Sequence, residues 1–147
     1  MWIVQRLETV QLPLVNKFYK ANRARGKAKG NESVWVVKDK DEIVGAARVA
    51  DISGHDFLTG VQVAGAYQRQ GIAAALVSQI VKTQQKPCFT FPYGHLVGLY
   101  QYLGFVEIEA DDLPKPLLMR FGRYQGQGRE IVVMRALFAA RVLLPTA

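Results

Sequence analysis

Residues 67–76 read YQRQGIAAAL. Three polar residues, Arg69 among them, lead into Gly71, and a run of small and aliphatic helix formers follows. The first N–H groups of a helix lack intrahelical acceptors, and the helix dipole makes that end positive. A phosphate placed there collects several N–H bonds at once. Such a cradle needs a turn, residues small enough for the ligand to approach, and a cation nearby. Gly71, then Ala73 with Ala74, and Arg69 meet those needs. The same string also fits a plain helix start whose alanines pack on a sheet. It is not a P-loop, because Gly-Lys-Ser/Thr is missing. Nor is it a dinucleotide-binding turn, because Gly-x-Gly-x-x-Gly is missing.

Other reactive residue types are sparse. Cys88 is the one cysteine, which excludes an internal disulfide and any zinc site built from several cysteines. It lies in an apolar stretch, where cysteine is more often a small hydrophobe than a nucleophile. His55 and His95 are far apart, so no metal site is expected. His55 reads as a turn residue. Six cations (Lys17, Lys20, Arg23, Arg25, Lys27, Lys29) fall between residues 17 and 29 with no acid among them.

The elements that must position these residues follow from periodicity. Trp2 to Val4 is a short strand. Pro13 suits the first turn of a helix over Leu12 to Asn22, where Leu14, Val15, Phe18 and Tyr19 recur at helical spacing. The basic segment to Gly30 is a loop or a frayed second helix. Ser33 to Lys38 and Ile43 to Ala50 form a hairpin around KDKDE, and Phe57 to Ala64 adds a third strand. That strand carries Gly60, the mark of a bulge or a close backbone approach. A helix spans Gln70 to Lys82, with Ile72, Leu76, Val77, Ile80 and Val81 as its apolar stripe. Lys86 to Phe91 is a strand, Leu96 to Leu103 a short helix stopped by Gly104, and Phe105 to Glu109 a strand. Asp111 to Gly128 reads as a polar, proline- and glycine-bearing connection, and Glu130 to Leu137 as the last long strand. The sum is a mixed α/β (α+β) domain whose single, mainly antiparallel sheet is flanked by helices.

Length and composition fit one domain over residues 1–147, with no linker or repeat that would divide it. The net charge is +7 and the pI 9.7, which speaks to partners rather than fold. The N-terminus lacks a signal-peptide core, and the apolar C-terminal run is broken by Arg141 and too short to span a bilayer. The cytoplasm is the expected compartment, with no membrane partner.

In context, the opening segment resembles the pyrophosphate-binding motif of the GNAT superfamily, the acetyl-CoA-dependent N-acetyltransferases. That motif, Gln/Arg-x-x-Gly-x-Gly/Ala, reads here Gln68, Arg69, Gln70, Gly71, Ile72, Ala73. It follows a strand, TGVQVAGAY, that is similar to the family's fourth. Further on, LYQYLGFVEI over Leu99 to Ile108 resembles the family's LYEKLGF signature. Element order matches from Trp2 to Leu137.

The resemblance implies an acetyl-CoA co-substrate, no metal, and transfer of acetyl to a primary amine by direct attack. It places the pantetheine arm against the backbone of Val61, Gln62 and Val63, with the Val63 N–H toward the thioester oxygen. It places the pyrophosphate on the amides of Arg69 to Ala74. It makes Tyr100 the proton donor to the leaving thiolate, against the plainer reading of a packed aromatic beside Tyr102 and Phe105. Many family members carry a glutamate base on the fourth strand, whereas this strand offers Gln62. Asp56 and His95 are alternatives by loop position, and water is a third. An asparagine often found about seven residues before the tyrosine is replaced here by Tyr93.

The first helix and the loop after it usually wall the acceptor site, which puts the six cations there. They fit a solvated loop, or attraction to an acidic acceptor such as an acidic peptide, aminoacyl-tRNA or other RNA. No RNA-binding motif accompanies them. The connection after Asp111, with Lys115, Arg120, Arg123 and Tyr124, could be a second wall. A domain that binds acyl-CoA or nucleic acid without catalysis is the rival from another class. Dimers are common in the family, and the apolar tail Ala136 to Leu144 could serve an interface.

Overall fold

The computed structural model describes residues 2–137. The apolar tail from residue 138 onward, and any interface it would make, lies outside the described residues.

Seven strands form one sheet: β1 (Trp2–Arg6), β2 (Ser33–Asp39), β3 (Glu42–Ile52), β4 (His55–Val63), β5 (Cys88–Thr90), β6 (Phe105–Glu107) and β7 (Met134–Ala136). Their order across the sheet is β1-β2-β3-β4-β5-β7-β6. Only β4 and β5 pair in parallel, because a helix crosses over between them. The meander β2-β3-β4 closes through two tight turns. Lys40 with Asp41, and Ser53 with Gly54, all take positive φ in two-residue loops of the kind that match strand twist.

Four helices cover the sheet: α1 (Leu12–Ala21), α2 (Ile72–Thr83), α3 (Val97–Tyr102) and α4 (Lys115–Gly126). Strand alternation sorts them onto two faces. Val34, Val36 and Ala46 pack with Val15, Phe18 and Tyr19 of α1. Trp35, Val37 and Leu58 pack with Leu76, Val77 and Ile80 of α2 and with Tyr100 of α3. Phe57, Phe89 and Val133 pack with Leu117 and Phe121 of α4. So α1 and α4 share one face, and α2 and α3 the other.

Two expectations need correction. The supposed connection Asp111 to Gly128 contains α4, a full helix. Pro114 and Pro116 sit at its start, where proline is tolerated, and Leu117, Phe121 and Tyr124 give it an apolar stripe at i, i+4 and i+7. Gly122 and Gly126, poor helix formers, blurred that stripe. The expected long strand from Glu130 is divided. Ile131 makes an isolated bridge to Tyr93, and regular pairing with β5 and β6 runs only over Met134–Ala136. The segment from Arg23 to Glu32 is a loop with no further helix.

Candidate active site

The sheet opens at one place. β4 pairs with β5 only at Asp56–Cys88, Phe57–Phe89 and Leu58–Thr90. Past Leu58 the strands part, so Thr59 to Val63 have no β5 partner. On the other side β4 stays bonded to β3 through a bulge. Ala46 faces Gln62 and Arg48 faces Thr59, which leaves Gly60 and Val61 opposite Ala47 alone. Gly60 takes φ +65, the conformation that such a bulge asks of a glycine. The Ala64 N–H donates to the Val44 carbonyl at 2.9 Å, back toward β3. Amide directions alternate along a strand, so the Val63 N–H faces the open side.

A cavity of about 430 Å³ fills that opening. Val61, Gln62 and Val63 form one wall. Gln68, Arg69, Gly71, Ile72, Ala73 and Ala74 form the end, and Leu96, Leu99 and Tyr100 close the far side. Of the residues that the resemblance assigns to the cofactor, with Tyr100, only Gln70 is off the wall. Its side-chain amide donates to the Ala66 carbonyl instead, at 3.5 Å.

The end of the cavity is the start of α2. Gly71 is its N-cap residue, with φ +81, and no side chain caps the turn. The first intrahelical bond is Ala75 N–H to Gly71 C=O, 3.0 Å, so the amides ahead of it lack helical acceptors. Arg69 also takes positive φ, at +66. The loop is tied down from outside: the Tyr67 hydroxyl donates to Asp39 of β2 at 2.8 Å, and the Gln68 amide donates to the Val63 carbonyl at 3.3 Å.

A second cavity, about 320 Å³, lies across the β4 opening. The two cavities share Val61, Gln62, Leu96 and Tyr100. Tyr100 is 6% exposed, whereas Tyr102 is 84% exposed on another face of α3. The Tyr100 ring meets Phe105 edge-on at 5.4 Å. Burial, reinforced by the neighbouring Cys88, pushes its hydroxyl up to about 12. Cys88 is itself buried, and burial likewise pushes its thiol up to about 12.

Residues 30–107 match the family model described as acetyltransferase (GNAT) domain. The chain belongs to the GNAT acetyltransferase family. Solved structures resemble this GNAT domain in fold at low identity. N-acetylglutamate synthase from Neisseria gonorrhoeae, complexed with coenzyme A and N-acetyl-glutamate, superposes with a TM-score of 0.70 at 12% identity. That comparison covers 94% of this chain but 35% of the synthase, so the chain spans about a third of that protein's length. Rv2747 from Mycobacterium tuberculosis, in complex with CoA, gives a TM-score of 0.69 at 17% identity, covering 92% of this chain and 99% of that one. The ribosomal-protein-S18-alanine N-acetyltransferase from Escherichia coli gives 0.65 at 18% identity, covering 94% of each. No curated protein sequence matches the chain.

The GNAT domain keeps the other sequence candidates away from the cavity junction. Asp56 lies at the start of β4, hydrogen-bonded by the Gln84 amide and 3.8 Å from the Lys86 ammonium. It lies five strand positions before Val61, a span of roughly 16 Å. His95 is exposed and stacks on Tyr93. Among the described residues, no Asp, Glu or His lines either cavity. Among the described residues no group of His, Cys, Asp and Glu could hold a metal ion, and no helix is long and apolar enough to cross a membrane.

Sequence reasoning missed a buried cluster under the bulge. Arg48 and Glu32 form an ion pair at 3.2 Å with both side chains 9% exposed. The guanidinium stacks over the Tyr19 ring, 5.1 Å from its centroid. The Tyr19 hydroxyl, which burial pushes up to about 12, donates to the Gly60 carbonyl. The one signal was an arginine inside an otherwise apolar strand, IVGAARVA. A charge so placed must be paired.

Proposed function

We propose that this domain transfers acetyl from acetyl-CoA to a primary amine by direct attack, with the thioester at the junction of the two cavities. One observation carries the reading: β4 leaves β5 past Leu58, and the cavity so opened runs from an uncapped helix start to Tyr100. The first cavity has an anion cradle at one end, an unpaired strand edge along its side and a buried hydroxyl at the other end. That order suits a pyrophosphate, a pantetheine amide chain and a thioester. Two of the structural neighbours are complexed with CoA.

In this reading the amides of Arg69 to Ala74 hold the pyrophosphate, with the Arg69 guanidinium beside it. The backbone of Val61 to Val63 bonds the pantetheine arm as an added strand. The amine enters from the second cavity and attacks the thioester carbon. The new C–N bond forms, negative charge gathers on the carbonyl oxygen, and the Val63 N–H faces it as a fixed dipole. The C–S bond then breaks, and the sulfur takes the Tyr100 proton, which solvent restores.

A tyrosine near 12 is a poor acid toward an ordinary thiolate near 8.5. The same core, however, lifts the Cys88 thiol to about 12. Desolvation beside Tyr100 would raise a coenzyme thiolate in the same direction as it raises the hydroxyl, which narrows that mismatch. With no carboxylate or imidazole on either wall, water takes the proton that the amine loses.

The test is CoA release with a panel of small amines, for wild type and Tyr100→Phe. General acid catalysis contributes about 10²–10⁴-fold, so kcat should fall within that range while acetyl-CoA binding holds. An unchanged kcat would remove Tyr100 from the mechanism. No turnover with any amine, despite tight acetyl-CoA binding, would favour a binding domain without catalysis.

A further inference from the structure

Of the six-cation segment, only Arg23 and Arg25 reach the wall of the second cavity, and the third cation there, Arg129, comes from beyond α4. We propose that this second cavity takes a small amine that carries a carboxylate, held by Arg23, Arg25 and Arg129. The proposal rests on the reading that the first cavity takes acetyl-CoA.

Size and charge set the class. A cavity of about 320 Å³ suits a small molecule. Its wall carries three guanidinium groups and no acid, and among the described residues none of the three is ion-paired. Arginine offers carboxylates two parallel N–H donors.

Two of the three arginines, Arg23 and Arg129, are placed by helix ends. α1 ends with Arg23 N–H on the Lys20 carbonyl at 3.2 Å and Ala24 N–H on the Tyr19 carbonyl at 3.0 Å. α4 ends the same way, with Gly128 on Gln125 at 2.9 Å and Arg129 on Tyr124 at 3.3 Å. The residue inside such a turn takes positive φ and is usually glycine. α4 uses Gly128, but α1 uses Arg23, at φ +55. A strained side chain kept on a cavity wall points to use rather than to stability. Arg129 is oriented by the Tyr124 ring, 4.0 Å from its guanidinium carbon, and its buried Nε has no hydrogen-bond partner among the described residues. Phe91, Tyr93 and Ile131 complete an apolar wall for the body of the acceptor. The remaining cations of the segment are off the cavity, which favours a small acceptor over a nucleic acid.

The test is calorimetry in saturating CoA with matched N-acetyl products that differ only in the carboxylate, N-acetylphenylalanine against N-acetylphenethylamine and N-acetylleucine against N-acetylisoamylamine. N-acetylated phosphoethanolamine is the phosphate arm. The acids should bind about tenfold or more tightly than their partners, as charge-assisted hydrogen bonds imply. That gap should collapse in Arg129→Gln and shrink in Arg23→Gly, whose Tm should hold or rise because the strain is relieved. Lys17→Gln should leave it unchanged. Equal binding by both members, a gap that survives both arginine changes, or tighter binding of the phosphate probe would overturn the proposal. So would absence of small-molecule binding together with salt-sensitive RNA binding. A carboxylate gap without an acetyl-CoA effect on Tm would sink the acetyl-CoA reading and the acceptor role with it, leaving only a carboxylate-binding cavity, and the reverse result would sink this proposal alone.

Discussion

The Tyr19 hydroxyl of α1 donates a 2.7 Å hydrogen bond to the carbonyl of Gly60, in the bulge of β4. Arg48 packs beside both, stacked on the tyrosine ring and paired with Glu32. The bulge is where β4 turns away from β5, so this contact braces Gly60 on the wall of the second cavity, next to Val61, which lines both. Glu32 also accepts the Lys29 N–H at 2.8 Å, and Asn16 pins the Ala28 backbone, so the same framework fixes the loop that carries Arg23 and Arg25.

Gly60→Ala tests that framework. A methyl there would sit 3.1 Å from the Tyr19 hydroxyl and 2.9 Å from the Arg48 guanidinium carbon, closer still to Nη1, on a backbone with positive φ. Overpacking and strain together should destabilise the fold by about 1–3 kcal/mol in urea unfolding. We expect kcat to fall further than acetyl-CoA affinity, because the bulge lies nearer the thioester than the phosphate cradle. Equal losses in both would mean that the cluster serves stability alone.

Arg69→Gly separates strain from charge. Glycine accepts φ +66 readily, so the free protein should gain up to about 1 kcal/mol. Losing the cation should weaken acetyl-CoA binding about threefold to tenfold, most clearly at low salt. A variant that binds as tightly as wild type would leave the amides alone as the cradle.

The pH dependence follows from what the walls lack. Without a side-chain base, kcat/KM should rise with pH at unit slope and level off at the acceptor amine's own pKa, shifting when the acceptor is changed. A break near 6–7 common to all acceptors would reveal a histidine or carboxylate base. On the alkaline side, Tyr19 and Tyr100 have folded values of about 12 against an ordinary 10. Their folded values are raised, so their contribution is fully present below about pH 10 and is lost as pH rises toward 12. Stability followed by urea midpoints should therefore be insensitive to these groups at neutral pH and fall between roughly 10 and 12.

Much of this was legible from local pattern. Gly71 with its alanines, Gly60 inside a strand, and the spacing of Val15, Phe18 and Tyr19 each state a local requirement that a short window reveals. The Gln70 side chain turns back onto its own loop, an orientation that a string of residues does not show. α4 was hidden because its two glycines lower helix propensity while packing against Phe57 and Phe89, distant in sequence, supplies the stability. Arg48 with Glu32, and Arg129 with Arg23, are pairs brought together by the sheet and by two helix ends. Nothing in their spacing along the chain could have joined them.

Thermal unfolding with and without acetyl-CoA tests the central claim most directly. A ligand at about 100 times its Kd adds about 2.7 kcal/mol, which for a domain of this length raises Tm by roughly 5–10 °C. That rise is expected, and so is its loss when Gly71→Val is combined with Arg69→Glu, each protein compared with its own unliganded state. No rise at saturating acetyl-CoA, or a rise that the double variant keeps in full, would contradict an acetyl-CoA site at the start of α2.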